Sequence, residues 1–242
     1  MEKDNIYIGA YLGYNEGGKL RSISGVIPSE RYTLEQFREF AQSVGEGYQL
    51  WNWHSLQIVQ ILYLIAYKNL DSQTSLGFGC IDAENVESHA TGGTNKKGLI
   101  FGDSIGKEQM CFLGIEDLWG NYGQLIDGII HNNSWHLMVT SDNKNFNNTA
   151  NGYKDLGKYV NTFIIGATSK VVHTNEGGFF PKEMKASYTT NYCDGGRVNK
   201  NTIGWSGGHL TAGNIMGIFS FYFDGGMSYS SGLVSSRLCY LG

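Results

Sequence analysis

GGHLTAGNIMGIFSFYFDGGMSYSSGLVSSRL, residues 207–238, is the stretch on which the reading of this chain turns. Between His209 and Leu233 it contains no Lys, Arg, Glu, Gln or Pro, and Asp224 is its one charged residue. Gly, Ser, Phe and Tyr fill it instead. Aromatic side chains give large contact area at low entropic cost, while Ser, Gly and Asn adapt and hydrogen-bond, so binding loops are built from this mixture. Ile218-Phe219-Ser220-Phe221-Tyr222-Phe223 also fits a core strand that alternates inside and outside. The two readings combine if some of these residues face inward and their neighbours are displayed.

The rest of the chain sets the bounds. At 242 residues it reads as one large irregular domain spanning 1–242, with no interdomain linker and no repeat. Only 17% of residues are charged, while Gly reaches 34 and Pro only 2, which favours tight turns and a surface wetted by amides and hydroxyls. Net charge is −4 and the basic residues are scattered, so no nucleic-acid partner and no anionic membrane footprint is expected. Cys80, Cys111, Cys193 and Cys239 lie far apart with no CxxC frame, and read as buried thiols rather than zinc ligands or a disulfide scaffold. No signal peptide is visible at the N-terminus. The longest apolar run, Ile58 to Tyr67, is far short of the roughly 20 residues a bilayer span needs, so a soluble chain without membrane insertion is expected.

Upstream of the terminal stretch, Ile6 to Tyr14 alternates as a strand entering the turn Asn15-Glu16-Gly17-Gly18, and Leu20 to Ile27 reads as its hairpin partner. Thr33 and Gln36 match a capping box, followed by Leu34, Phe37, Ala41 and Val44 at helical spacing up to Gly45 and Gly47. A second helix is predicted from Ser55 to about Asn69. Leu56, Val59, Leu62, Tyr63, Ile65 and Ala66 cover most of its circumference, so it is expected to be buried in the core. Beyond Asp71 the pattern breaks into short β-like pieces, with at most a helical turn near Ile115 to Trp119. The expected class is α+β: a helical part at about 30–70 packed on short, irregular, loop-rich sheets.

Chemistry leaves few marks. His131 and His136 share HNNSWH at a spacing that suits neither a helix face nor alternate strand positions, so they read as unrelated imidazoles rather than metal ligands. No GxSxG elbow is present, and neither GFGC nor Gly92-Gly93 falls in a phosphate-binding frame. Glu116, Asp117 and Asp127 read as turn-forming carboxylates around Trp119 rather than an acid–base pair. No catalytic residue, metal or cofactor is assigned.

Three blocks then carry a resemblance. Gly114-Ile115-Glu116-Asp117-Leu118-Trp119-Gly120-Asn121, followed by Asp127-Gly128, is similar to a signature of the formylglycine-generating-enzyme branch of the C-type lectin fold. Gly204-Trp205-Ser206-Gly207-Gly208 through Gly213, Gly217 and Phe219 to Val234-Ser235-Ser236-Arg237-Leu238 resembles the close of that branch. LRSISGVIPSERYTLEQFREFA, LQIVQILYLIAYKNLDSQTSLGFG and NYCDGG resemble a subgroup found in phage tail-fibre tips and in the variable proteins of diversity-generating retroelements.

The resemblance implies a C-type-lectin-like binding module, not an enzyme, whose displayed segment spans about 205–238. The framing positions it implies are Trp205, Gly207, Gly208, Gly213, Gly217, Phe219, Val234, Arg237 and Leu238. The displayed positions it implies are His209, Thr211, Ala212, Asn214, Ile215, Ser220, Phe221, Tyr222, Asp224, Gly225, Tyr229, Ser231, Gly232 and Leu233. The implied partner is a bacterial surface receptor, protein or glycan, with the chain on a virion tail fibre or a bacterial surface and a homotrimer as the expected assembly. The chain departs from the pattern in having no cysteine pair for copper and no EPN, QPD or WND sequence for calcium-mediated sugar binding. A formylglycine-generating-type or iron-dependent oxidase and a structural fibre domain stand as the alternatives.

Overall fold

The computed structural model describes residues 5–81, 88–185, 194–213 and 215–242. Cys193, Asn214 and the first three residues of the NYCDGG block lie outside the described residues. The chain is α+β, and begins β1 (Ile6–Ile8), β2 (Tyr14–Glu16), β3 (Lys19–Arg21), α1 (Leu34–Gln42), β4 (Tyr48–Leu50), α2 (Trp53–Tyr67) and α3 (Ser72–Leu76). Then follow β5 (Ile100–Phe101), β6 (Cys111–Phe112), β7 (Ile115–Glu116), β8 (Gly123–His131), β9 (Leu137–Val139) and β10 (Lys154–Asp155). The remainder holds β11 (Ile164–Ala167), β12 (Lys170–Thr174), β13 (Gly178–Glu183), β14 (Gly195–Val198), β15 (Thr202–Ser206), β16 (Phe221–Gly225), β17 (Val234–Ser235) and β18 (Leu238–Leu241).

A central sheet runs β10-β9-β8-β15-β16-β14-β11, with β17 beside β8. Its pairs are antiparallel except β14 with β16 and β17 with β8. A smaller sheet, β1-β18-β4, brings Ile6 opposite Leu241 and Tyr48 opposite Tyr240. The long first strand expected from alternation is split into β1 and β2. Pairing of Glu16 with Lys19 leaves Gly17-Gly18 as a two-residue hairpin turn, with φ of 59° and 85° that glycine adopts without steric penalty.

Helix α1 begins at the expected capping box: Thr33 Oγ1 accepts from the Gln36 amide, and the Gln36 side chain accepts from the Thr33 amide. Its apolar face, Leu34, Phe37 and Ala41, packs with Leu20 of β3, Leu50 of β4 and Leu125 of β8. Arg38 adds a bidentate pair to Asp127 of β8, at 2.7 and 3.0 Å, with both side chains buried. Removing one partner of such a pair leaves an uncompensated charge, at a cost of about 3–5 kcal/mol.

Helix α2 starts at Trp53, two residues before the expected Ser55, because the Asn52 side chain accepts from the Ser55 amide. Trp53, Leu56, Val59 and Tyr63 pack with Ile126, Ile129, Phe221 and Phe223. The Trp53 ring meets Phe221 edge-on at 4.6 Å. The expectation that this helix is buried on all sides fails. Ile58, Ile61, Leu62 and Ile65 are exposed by 41–68%, while Ser55, Gln57 and Gln60 lie inside. An apolar circumference does not say which side the fold covers, and a buried glutamine is tolerated once it is hydrogen-bonded. Gln60 Nε2 donates to the Ile218 carbonyl at 2.9 Å.

The two helices thus cover opposite faces of the central sheet. Its longest strand, β8, is buried at every residue and went unread in the sequence. A strand covered on both faces has no apolar–polar alternation, and Asp127 and Gly128 interrupt its apolar run. The helical turn expected at Ile115 to Trp119 is absent: Ile115–Glu116 forms β7, and Asp117 then takes a left-handed φ of 54°. The short helix α3, capped by Asp71, was likewise not expected.

Arg237 locks these parts together. Fully buried, it donates to Gln124 Oε1 at 3.0 Å, to the Gly9 carbonyl at 2.7 Å and to the Glu116 carbonyl. Around it, Glu116 accepts from the Gly92 and Thr94 amides and the Thr94 hydroxyl, and Asp117 accepts from Gln109 and Asn121. With Asp127 held by Arg38, all three carboxylates are buried posts for the loops that cross them. Burial, with Glu116 nearby, pushes the Asp117 carboxyl up to about 7.

Candidate functional site

Strand β16 sorts the terminal residues by its period of two. Phe221 and Phe223 point to the α2 side, where both rings are buried and stacked 5.0 Å apart. Tyr222 and Asp224 therefore point to the other face, beside the part of the sheet that α1 packs against. Register places Tyr222 between Arg197 of β14 and Trp205 of β15. The three side chains form a row across three strands.

The row is held by stacking and by one carboxylate. The Trp205 and Tyr222 rings lie 4.2 Å apart at 12°. Asp224 accepts from Trp205 Nε1 at 3.0 Å through one oxygen and from Arg197 Nη1 at 3.0 Å through the other. Asp224 thus orients Trp205 and Arg197. Beyond the row, Tyr229 sits on Gly225, where a Cβ would come within 2.5 Å of its ring. Gly225 is therefore the seat of Tyr229 rather than a displayed position.

On the other side His209 lies 5.9 Å from Trp205 and shares a 3.1 Å hydrogen bond with the Thr211 hydroxyl. Burial lowers the His209 pKa, against the pull of the Asp224 carboxylate, which favours the neutral ring at pH 7. Thr211 leads into a cavity of about 600 Å³, lined on one side by Leu210, Thr211, Gly232 and Leu233. Its other side is Ile27, Glu30, Arg31 and Tyr122. Glu30 accepts from the Tyr122 hydroxyl and from Arg31 Nε, both at 3.0 Å. Arg31 holds a left-handed φ of 62°, its amide donates to the Ser231 carbonyl, and its side chain is 75% exposed over Gly232. Such a backbone persists only where its surroundings determine it.

Of the fourteen implied display positions, His209, Thr211, Ala212, Ile215, Tyr222, Asp224, Tyr229, Ser231, Gly232 and Leu233 reach or border this face and cavity. Tyr222 does so edge-on, since only 9% of it is exposed. Ser220 and Phe221 do not: Ser220 is fully enclosed and Phe221 is core. Asn214 lies outside the described residues. Arg197, Glu30, Arg31 and Tyr122 were missed. Arg31 and Tyr122 carry no periodic signal, and only the pairing of β14 with β16 brings Arg197 to the row.

Of the nine framing residues, Trp205, Gly207, Gly208, Gly217, Phe219, Val234 and Arg237 are buried, and Gly213 and Leu238 are half-buried. Gly217 is enforced by close approach, because a Cβ there would lie 2.1 Å from Ser72 Oγ and 2.5 Å from Asp194. Asp194 accepts from the Gly217 and Phe219 amides, and burial pushes its carboxyl up to about 8. The histidines of HNNSWH separate: His131 meets the Asn199 carbonyl and His136 meets Asp155. Among the described residues no three His, Cys, Asp or Glu side chains gather as a metal cluster. Compared with known proteins, the chain matches no family model and no curated sequence.

Proposed function

We propose that this protein is a non-catalytic ligand-binding module with a C-type-lectin-like fold. On this reading it recognises a bacterial surface receptor from a phage tail-fibre tip or a bacterial surface. The carrying observation is the division of β16, with Phe221 and Phe223 in the core and Tyr222 and Asp224 joined to Trp205, Arg197, His209 and the cavity on the opposite side. Rigid aromatic groups beside a rimmed cavity lower the ordering cost of binding, and a few such anchors carry most of an interface's energy.

The test is adsorption of fluorescently labelled protein to a panel of bacterial strains. Binding strains are expected to lose at least tenfold affinity on Tyr229→Ala and on Thr211→Ala, with circular dichroism unchanged. Equal adsorption by the folded variants would reject this face as the recognition surface. Copper or iron present in stoichiometric amount in the purified protein would instead favour an oxidase.

A further inference from the structure

The outer face of α2 inverts the usual helix pattern. Ile58, Ile61, Leu62, Ile65 and Ala66 are exposed at a spacing that makes a single stripe, while Ser55, Gln57 and Gln60 are turned into the core. The helix contains no charged residue. The first such residue beyond it is Lys68, the exposed left-handed C-cap. An ordinary surface helix puts its polar residues outward, and here none of the outward residues is polar.

The geometry points to a self-association surface on which a second copy of this chain packs α2 against α2, antiparallel, about a two-fold axis. Two observations choose this occupant. The first is charge: a stripe without charges or hydrogen-bonding side chains is matched without desolvating an unpaired group by another apolar stripe of the same kind. The stripe of a second copy meets that requirement, and antiparallel pairing sets the two Lys68 ammonium groups at opposite ends of the contact. A parallel bundle would bring them together. The second is area. The four aliphatic side chains expose on the order of 400 Å², as much as the largest patch on an ordinary monomer and about half of one partner's share of a standard interface. The apolar surface continues past the helix end. Tyr67 lies 6.0 Å from Phe112 of β6, and Ile100, paired with Phe112 in β5, is itself 49% exposed.

The contact is independent of the ligand-binding reading, since it engages the opposite side of the sheet from Tyr222. Light scattering on eluting protein should give twice the chain mass. The Ile61→Glu, Ile65→Glu double variant should give the monomer mass with an unchanged circular dichroism spectrum. A bismaleimide should link Ile61→Cys chains into covalent dimers and leave Ile23→Cys chains, altered at an exposed residue outside α2, unlinked. The proposal is overturned by a monomeric wild type, by a trimer, or by a dimer that survives the glutamates. A wild-type monomer that sediments with phosphatidylcholine vesicles would give the face to lipid and overturn it equally.

Discussion

Arg237 and Tyr229 stand close together in the terminal stretch and belong to regions built on opposite principles. Arg237 is enclosed and its guanidinium is spent on carbonyl and amide oxygens that fix the first strands, the turn after β7 and β8. Tyr229 is half-buried on a glycine, and the polar groups around it are satisfied by one another. The lesson is that this molecule keeps its polar side chains of high consequence inside and leaves replaceable ones outside.

The sharpest way to break that comparison is Arg237→Ala. It strands several buried carbonyls and is expected to cost about 3–5 kcal/mol in urea unfolding. An unchanged urea midpoint would mean that the frame does not depend on this residue. Phe221→Ala comes next, at about 3 kcal/mol for the cavity it leaves against Trp53 and Phe223. If it left stability intact and removed ligand binding, β16 would have to be turned over.

A pH effect follows from the two buried carboxyls held near 7 and 8 by burial, Asp117 and Asp194. Their folded values lie above the value of about 4 expected in the unfolded chain. Between these limits the folded state binds more protons, so stability from these groups is present below about pH 4 and is lost as pH rises toward 8. Thermal midpoints should fall from pH 5 to 8, and Asp194→Asn should flatten the fall. A midpoint that rises over this range would reverse the sign and refute the assignment. Smallest of all is Tyr229→Ala, expected to change unfolding free energy by no more than about 1 kcal/mol. A larger loss would move Tyr229 into the frame.

What the sequence conveyed depended on whether a local rule was in play. The Thr33 and Gln36 capping box is a local exchange of hydrogen bonds, and the observed helix starts where it says. The Phe221-Tyr222-Phe223 alternation was visible too, but its phase was not, so Phe221 was assigned to the wrong side. β8 was invisible because burial on both faces erases periodicity. The outward stripe of α2 was hidden for a related reason: Gln60 and Ile61 exchange the sides their polarity implies, since the Ile218 carbonyl awaits the amide inside. Arg31 reached the cavity only because Ser231 holds its amide across the fold.

The small sheet β1-β18-β4 has a consequence in time. Its middle strand, Leu238–Leu241, is synthesised long after its edges, Ile6–Ile8 and Tyr48–Leu50. During translation β1 and β4 wait with unpaired edges until β18 arrives, and pairings this distant in sequence are slow to close. A nascent chain stopped before Leu238 lacks the strand that joins them. The stretch from His209 to Leu233 is thus made before this sheet can close, so a stop codon anywhere within it also removes the strand that joins β1 to β4.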